Sequence, residues 1–588
     1  MTERNSLYNF NDRTYISGKD EMMKRFALLL ALLSFGFICA FAQGGEITGV
    51  CAIPDAPEWV RTAVFYQIYP QTFFDSNNDG IGDLNGIIMK LDYVKSLGAN
   101  AIWLNPFFDS PFNDAGYDIR DYYKVAPRYG TNEDAKRLFA EAHKRGIKVI
   151  FDYVITYTAI DHPWFVESCK GTPNKYTNWY VWTDNVWKEE TGEFANRFIQ
   201  GYGHRFGNFM RNFYWCQPAL NFGFGKPDTS KHWQLPTDHP DVRAMKEELK
   251  KIFCFWMDMG ADGIRADMAG ALVKGEDVHG DTKQFWKEIR QIMKEKYPQG
   301  FMVSEWSYPK DALDAFHADF FHWFDGYNDL TQKESWRILN GFSEGHSFFD
   351  REGKGNIAHF LTNYLDQYTA TKSKGYILLP LGNHDNARMN TNRTTEELEM
   401  IMAFGMSMPG IPFLYYGNEI GMRQLAGNPQ IEGAYNPRSG ARTPMQWSGG
   451  KNCGFSTADA SQLYLPVDTS SDAPNVDAEL KDPHSLLHRV KKLIELKHRE
   501  PALAAYAEFV PLYAKENTYP FVYARANGDD VILAIFNPSA KPVSIECPFN
   551  SSHSTFQLIA GSAVTLSNQG KKISMDIPGI TYALYKVK

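Results

Sequence analysis

The stretch NEDAKRLFAEAHKRGIKVIFDY, residues 132–153, indicates how this 588-residue chain folds. Its first part places apolar residues three and four positions apart, which predicts an amphipathic helix over 132–145 that ends at Gly146. Residues 148–153 then form a short apolar run, which is typical of a strand buried on both faces. A helix followed directly by a buried strand is the repeating unit of a parallel sheet with helical connections.

The same alternation extends in both directions from this stretch. Further strands are predicted at 64–69, 101–104, 263–267, 301–305, 319–324, 377–381 and 411–415, and further helices at 88–97, 242–259 and 485–499. About eight such units over roughly 440 residues favour an α/β fold of the (β/α)8 TIM-barrel type over an open sheet.

The alternation of strands and helices is interrupted by one segment and stops before the C-terminal segment. Residues 154–235 are rich in aromatic residues, Gly and Asn, which predicts a loop-rich insertion (domain B) after the third strand. Residues 504–588 alternate as strands do, which predicts a C-terminal antiparallel β-sandwich. We therefore expect the barrel in two parts, 63–153 and 236–503.

The first 42 residues are predicted to be an N-terminal extension and a signal peptide. Residues 26–42 (FALLLALLSFGFICAFA) are apolar, follow Lys24 and Arg25, and end in small residues. This is the pattern that a signal peptidase recognises, so we expect cleavage before Gln43 and export to the periplasm or the medium. No later segment is long and apolar enough to predict a membrane span in the mature chain.

Composition narrows the class of protein. Hydrophobic residues make up 44% and charged residues 22% of the chain, which excludes a disordered protein. The net charge of −8 and the absence of a long basic run argue against a nucleic-acid partner. We expect a monomer. The six cysteines after Cys39 are scattered, with no C-x-x-C pair and no metal-ligand spacing. An exported protein can hold disulfides, but this spacing fixes no connectivity, so free thiols are the preferred interpretation.

Acidic residues stand where several predicted barrel strands end. Asp152, Asp267 and Glu305 end three of them, and Asp385 follows a fourth. Arg265 precedes Asp267 by two residues, so both side chains lie on the same face of a strand. Active sites of such barrels lie at the carboxyl ends of the strands. One nucleophilic carboxylate, one protonated acid and a guanidinium are what retaining glycosidic cleavage requires, although any single member could be a strand-end cap.

Several motifs together resemble the α-amylase family of glycoside hydrolases, family 13, over residues 63–588. Residues 263–267 (GIRAD) match the family's G-x-R-x-D motif, 305–306 (EW) its acid motif and 383–385 (NHD) its N-H-D motif. The resemblance implies that Asp267 is the nucleophile and Glu305 the general acid/base. It implies that Asp385 binds sugar hydroxyls and stabilises the transition state.

The resemblance also implies a set of substrate contacts. They are Tyr117, Asp118, Tyr157, Arg265, His384, Arg438 and Arg442. Residues 442–447 (RTPMQW) resemble the branch of oligo-1,6-glucosidases, α-glucosidases and trehalose synthases. In that branch an Asp of the Tyr-Asp pair meets an Arg and closes the pocket behind the terminal sugar. Asp118 and Arg438 are expected to form this pair, which predicts exo action.

A metal site is predicted in residues 75–83 (DSNNDGIGD). Oxygen side chains at alternate positions around a Gly turn are what calcium prefers, although a solvated turn has the same composition. The ligands would be Asp75, Asn77, Asp79, the Ile81 carbonyl and Asp83.

Three positions depart from the family pattern. Thr156-Tyr157 replaces the family's Asn-His pair, Ala219 replaces the Asp of Q-P-D-L-N, and Met268 follows the nucleophile. We expect an exported, calcium-stabilised, retaining α-glucosidase that acts on α-glucan oligosaccharides. A trehalose-synthase-like isomerase or transglycosylase is the alternative, and an inactive glycan-binding homologue comes last because all three carboxylates are present.

Overall fold

The computed structural model describes residue 47 and residues 49–276, 278–322, 330–331, 347–433, 438–551 and 555–588. The predicted signal peptide and its cleavage site lie outside these residues. No helix in the described ranges is long and apolar enough to cross a membrane.

A nearly closed sheet of parallel strands forms the centre of the molecule, and it confirms the predicted barrel. Its strands are β1 (Phe65–Ile68), β2 (Ala101–Leu104), β3 (Lys148–Tyr153), β4 (Gly263–Ala266), β5 (Phe301–Ser304), β6 (Ala318–Phe320), β7 (Tyr376–Leu378), β8 (Pro380–Leu381) and β9 (Phe413–Tyr415). The spatial order is β7-β6-β5-β4-β3-β2-β1-β9-β8. Because Leu379 alone separates β7 from β8, one extended segment pairs with both ends of the sheet.

Helices lie between the barrel strands in the chain, within the insertion and after the last barrel strand. They are Leu84–Leu97, Asn132–Lys144, Pro163–Ser168, Pro240–Asp258, Gly280–Lys296, Pro309–Ala312, Ile357–Thr371, Thr395–Ser407, Arg438–Ala441, Val476–Lys481 and Leu486–Arg499. The helix in the opening stretch begins with a capping box between Thr131 and Asp134 and buries Leu138 and Phe139. Its sequence thus defines both its start and its buried face.

Side chains that point into the barrel change character along the strands. A lower layer is apolar, and within it the rings of Phe65 and Phe413 stack 4.2 Å apart. Asp152 pairs in register with Arg265 across β3 and β4, and both are buried. Apolar packing below thus supports a polar layer at the carboxyl ends of the strands.

Residues between β3 and the helix Pro240–Asp258 are mostly loops, as predicted. Two short strands, Phe198–Ile199 and Phe209–Met210, pair there, and a small apolar cluster holds the segment together. Another short pair, Phe108–Asp109 with Asp121–Val125, lies after β2.

The C-terminal strands form two antiparallel sheets around a shared apolar core. They are β10 (Glu508–Tyr513), β11 (Phe521–Asn527), β12 (Asp530–Asn537), β13 (Val543–Pro548), β14 (Phe556–Gly561), β15 (Thr565–Asn568), β16 (Lys572–Ile577) and β17 (Thr581–Val587). Arg525 on β11 is fully buried and donates hydrogen bonds to the carbonyls of Ser407, Ala504 and Ala507. This side chain joins the sandwich to the barrel.

Candidate active site

Arg265 is the centre of the polar layer. Its Nη1 lies 2.8 Å from Asp267 Oδ1 and also binds Asp152 Oδ1, and its Nη2 lies 2.9 Å from Glu305 Oε1. All four side chains are at most 10% exposed. One guanidinium therefore holds the two predicted catalytic carboxyls side by side.

The Asp267 and Glu305 carboxyls share a common electrostatic environment. Burial raises the pKa of Asp267 well above its usual range, and the charge of Glu305 raises it further. Burial also opposes ionisation of Glu305, but Arg265 and His322 outweigh it and lower the pKa of Glu305 to about 2. Carboxyls that share one guanidinium titrate as a coupled group, in which protonation of one favours ionisation of its neighbour.

Asp385 lies among three positively charged or polar partners. Arg438 Nη2 is 2.8 Å from Oδ1, Arg442 Nη2 is 3.2 Å from the same oxygen, and His384 Nε2 is 3.2 Å from Oδ2. Burial would raise the pKa of Asp385, but these neighbours lower it far below its usual value. Asp385 is therefore ionised and firmly oriented.

His384 is neutral, and its tautomer follows from its neighbours. Burial lowers its pKa to about 3. The Gln67 amide donates to Nδ1 at 3.0 Å, so the proton sits on Nε2, which lies 2.6 Å from the Tyr117 hydroxyl. The Tyr117 hydroxyl donates in turn to Asp152 at 3.1 Å. The rings of Tyr117 and His384 stack with their centres 5.3 Å apart.

Tyr157 and Ala219, two of the departures from the family pattern, face each other. They form an isolated antiparallel bridge, in which directly opposite side chains are neighbours. Ala219 packs in an apolar cluster with Val181 and Trp233, where an Asp would be buried among apolar groups. The hydroxyl of Tyr157 donates to Asp267 Oδ2 at 3.3 Å. Tyr157 thus contacts the predicted nucleophile itself.

The expected pairing of Arg438 with Asp118 is wrong. Asp118 is fully buried and accepts hydrogen bonds from Ser110 Oγ and from the backbone N–H groups of Asn113 and Asp114. Its carboxylate is therefore used in folding its own loop. Asp114 instead approaches Arg438, at 3.9 Å.

Two site residues were missed from sequence. Asp114 lies three residues before Tyr117, and a second Asp in that loop was the only signal for it. His322 Nε2 lies 3.4 Å from Glu305 Oε1 and follows β6, inside the strand predicted at 319–324.

The predicted calcium loop is closed by its own hydrogen bonds. Asp75 accepts from the N–H groups of Asn78 and Gly80 and from Ser456 Oγ. Asp83 accepts from Ser76 and caps the helix Leu84–Leu97 through Gly86 N–H. Nowhere in the described ranges do three His, Cys, Asp or Glu side chains gather as metal ligands would. The oxygen donors suit calcium chemically, and the predicted ligands include the Asn77 side chain and the Ile81 carbonyl, so calcium binding stays a prediction.

Comparison with known proteins agrees with this geometry. A family model for the alpha amylase catalytic domain matches residues 67–505. The chain belongs to the alpha-amylase family. Its relatives in the family include the trehalose synthase/amylase TreS of Mycobacterium tuberculosis (strain ATCC 25618 / H37Rv), 31% identical over 553 residues, which cover 87% of each chain. The oligo-1,6-glucosidase of Parageobacillus thermoglucosidasius is also 31% identical, over 85% of this chain and 94% of its own.

A family member of known structure has the same fold. The trehalulose synthase MutB from Pseudomonas mesoacidophila MX-45 superposes with a TM-score of 0.72 at 25% identity, over 90% of this chain and 99% of that chain. Together these alpha-amylase relatives identify the protein as an enzyme of the glycoside hydrolase and transglycosylase kind.

Proposed function

We propose that this protein is a retaining α-glucosidase that cleaves short α-glucans. The observation that carries the proposal is the contact of Arg265 with both Asp267 and Glu305. Retaining enzymes need their two carboxyl groups about 5–5.5 Å apart, so that one can attack the sugar directly. A shared guanidinium keeps two carboxyls at short range.

The reaction takes place in two steps. Asp267 attacks the anomeric carbon while Glu305 gives its proton to the glycosidic oxygen, so the glycosidic bond breaks and a glycosyl ester of Asp267 forms. Glu305, now a carboxylate, then takes a proton from water, and the resulting hydroxide oxygen displaces Asp267. If a sugar hydroxyl replaces water, the same step becomes transglycosylation.

The mechanism requires a protonated Glu305 and an ionised Asp267 when the substrate is bound. A bound glycoside favours that distribution because its oxygen accepts the proton from Glu305. Positive charge that develops on the sugar ring favours an ionised Asp267 at the same time. Asp385 is ionised and is placed to accept hydrogen bonds from sugar hydroxyls, and neutral His384 lies beside it.

We propose exo action on the basis of the charged cluster at one end of the site. Arg438 lies between Asp385 and Asp114, and Gln217 Nε2 donates to Asp114 Oδ2 at 2.7 Å. Polar groups of this kind can hydrogen-bond the free hydroxyl of a terminal sugar. An internal sugar would leave these polar groups without hydrogen-bond partners. Each unpaired group would weaken binding by about 1–3 kcal/mol.

Two further proposals concern the intact protein. The N-terminal apolar run supports export with cleavage before Gln43, and the donor types in residues 75–83 support a structural calcium ion.

A trehalose-synthase-like isomerase is the second candidate, since TreS is among the relatives. The test is NMR analysis of the products from maltose, isomaltose and maltoheptaose. Glucose as the main product supports hydrolysis, whereas conversion of maltose into another disaccharide favours the isomerase. No turnover of any of the three would overturn both.

A further inference from the structure

A short turn in the segment before Gln217 is fixed from within. Asn212 N–H donates to the Gln217 carbonyl at 2.8 Å, and Tyr214 N–H donates to Gln217 Oε1 at 2.8 Å. The Arg211 guanidinium donates to the Phe213 carbonyl at 2.8 Å. Residues 212–217, called here the rim turn, therefore have a defined conformation.

The rim turn extends from one side of the active site to the other. At its start, the Asn212 amide lies 3.9 Å from Met268 Sδ, next to the nucleophile. At its end, Gln217 binds Asp114 in the charged cluster. Between them, the guanidinium of Arg438 lies 5.5 Å from the centre of the Phe213 ring. The turn thus lies beside Met268, Asp114 and Arg438 at the edge of the active site.

Two aromatic side chains of the rim turn are exposed. Phe213 is 40% exposed and Trp215 is 59% exposed, while the adjacent Cys216 is buried. An exposed aromatic ring beside a catalytic site offers a large, rigid apolar face that a bound ligand can cover. A pyranose ring offers a C–H face that packs against an aromatic ring while its hydroxyls remain in water.

We propose that Phe213 and Trp215 form a sugar-binding platform for the part of the substrate beyond the terminal glucose. This inference rests on the proposed function, because a pocket closed by Arg438 and Asp114 leaves the opening as the path for the remaining units. The platform holds the leaving sugar before cleavage and the acceptor sugar after it. It therefore selects oligosaccharides over glucosides with small leaving groups.

The experiment compares maltotriose with α-glucosyl fluoride, whose leaving group is a single atom. We measure kcat/KM on both for the wild type, Trp215→Ala and the conservative Trp215→Phe. Loss of one stacking contact should reduce the maltotriose to glucosyl fluoride ratio about tenfold in Trp215→Ala, mainly through KM. Trp215→Phe should restore most of the wild-type ratio, because Phe keeps an aromatic face. The matched control is Trp187→Ala, an 85% exposed Trp in the same insertion, whose ratio should equal that of the wild type.

A ratio in Trp215→Ala within about twofold of the wild type would overturn the platform. Failure of the proposed function is distinguishable, because the wild type would then cleave neither substrate. Calorimetric titration of Asp267→Asn protein with maltotriose, with and without Trp215→Ala, tests the platform without turnover. Affinity that is about tenfold weaker in the double variant supports it, and equal affinity refutes it.

Discussion

Replacing Tyr157 with Phe removes one hydroxyl beside Asp267. That hydroxyl donates to Oδ2, while Arg265 holds Oδ1, so the substitution leaves the guanidinium contact in place. A hydrogen bond to a charged group contributes about 1.5–3 kcal/mol, and the length of 3.3 Å puts this one at the weak end. We expect an effect of about 1–1.5 kcal/mol, which corresponds to a shift of about one pKa unit.

The direction in which the pKa of Asp267 moves depends on whether the Tyr157 hydroxyl stabilises the ionised or the protonated carboxyl. It donates to the ionised carboxylate, so its loss raises the pKa of Asp267, which burial has already raised. The acidic limb of kcat/KM should move up by about one pH unit. Below that limb the rate should fall about tenfold, whereas on the plateau it should fall less than about threefold.

The assay is the pH profile of kcat/KM on α-glucosyl fluoride. Tyr180→Phe is the control, because Tyr180 is also a buried tyrosine of the insertion but its hydroxyl contacts Thr158. Its profile should match the wild type. An acidic limb in Tyr157→Phe that stays in place, or a loss equal at every pH, would show that the hydroxyl binds substrate and does not act on Asp267.

Three other predictions follow from the proposed chemistry. Asp267→Asn should lower glucose release by at least about a thousandfold, because the covalent route is lost. Its circular dichroism spectrum should be unchanged. Glucose release within about tenfold of the wild type would reject Asp267 as the nucleophile. If residues 75–83 bind calcium, a chelator should lower the melting temperature; an unchanged melting temperature, together with no metal in elemental analysis, would exclude the ion. Time-resolved products from maltoheptaose should first show shortening by one unit, whereas early mid-chain fragments would mean an open cleft.

Much of the barrel could be predicted because buried parallel strands are continuous apolar runs. The runs at 101–104 and 148–153 coincide with β2 and β3. The strand predicted at 319–324 extends past the end of β6 at Phe320, because further aromatic residues follow without a turn signal. His322 was overlooked because it lies inside that predicted strand and not at its end.

The choice between Asp114 and Asp118 could not be made from sequence. Both lie in one loop, and which carboxylate faces Arg438 depends on how that loop folds around Ser110. The tautomer of His384 likewise depends on Gln67, which is far away in the chain and adjacent only across the barrel. Such contacts between distant segments leave no local pattern.

The buried Arg525 limits how this enzyme can be shortened or recombined. Its guanidinium satisfies carbonyl groups at the end of the helix Thr395–Ser407 and after the helix Leu486–Arg499, and the neighbouring Tyr523 hydroxyl lies 2.6 Å from Ser407 Oγ. A barrel cut free after residue 504 would leave the carbonyls of Ser407 and Ala504 without their donor and expose the apolar surface around them. A chimera that takes its sandwich from a relative must therefore also take the matching helix ends from it.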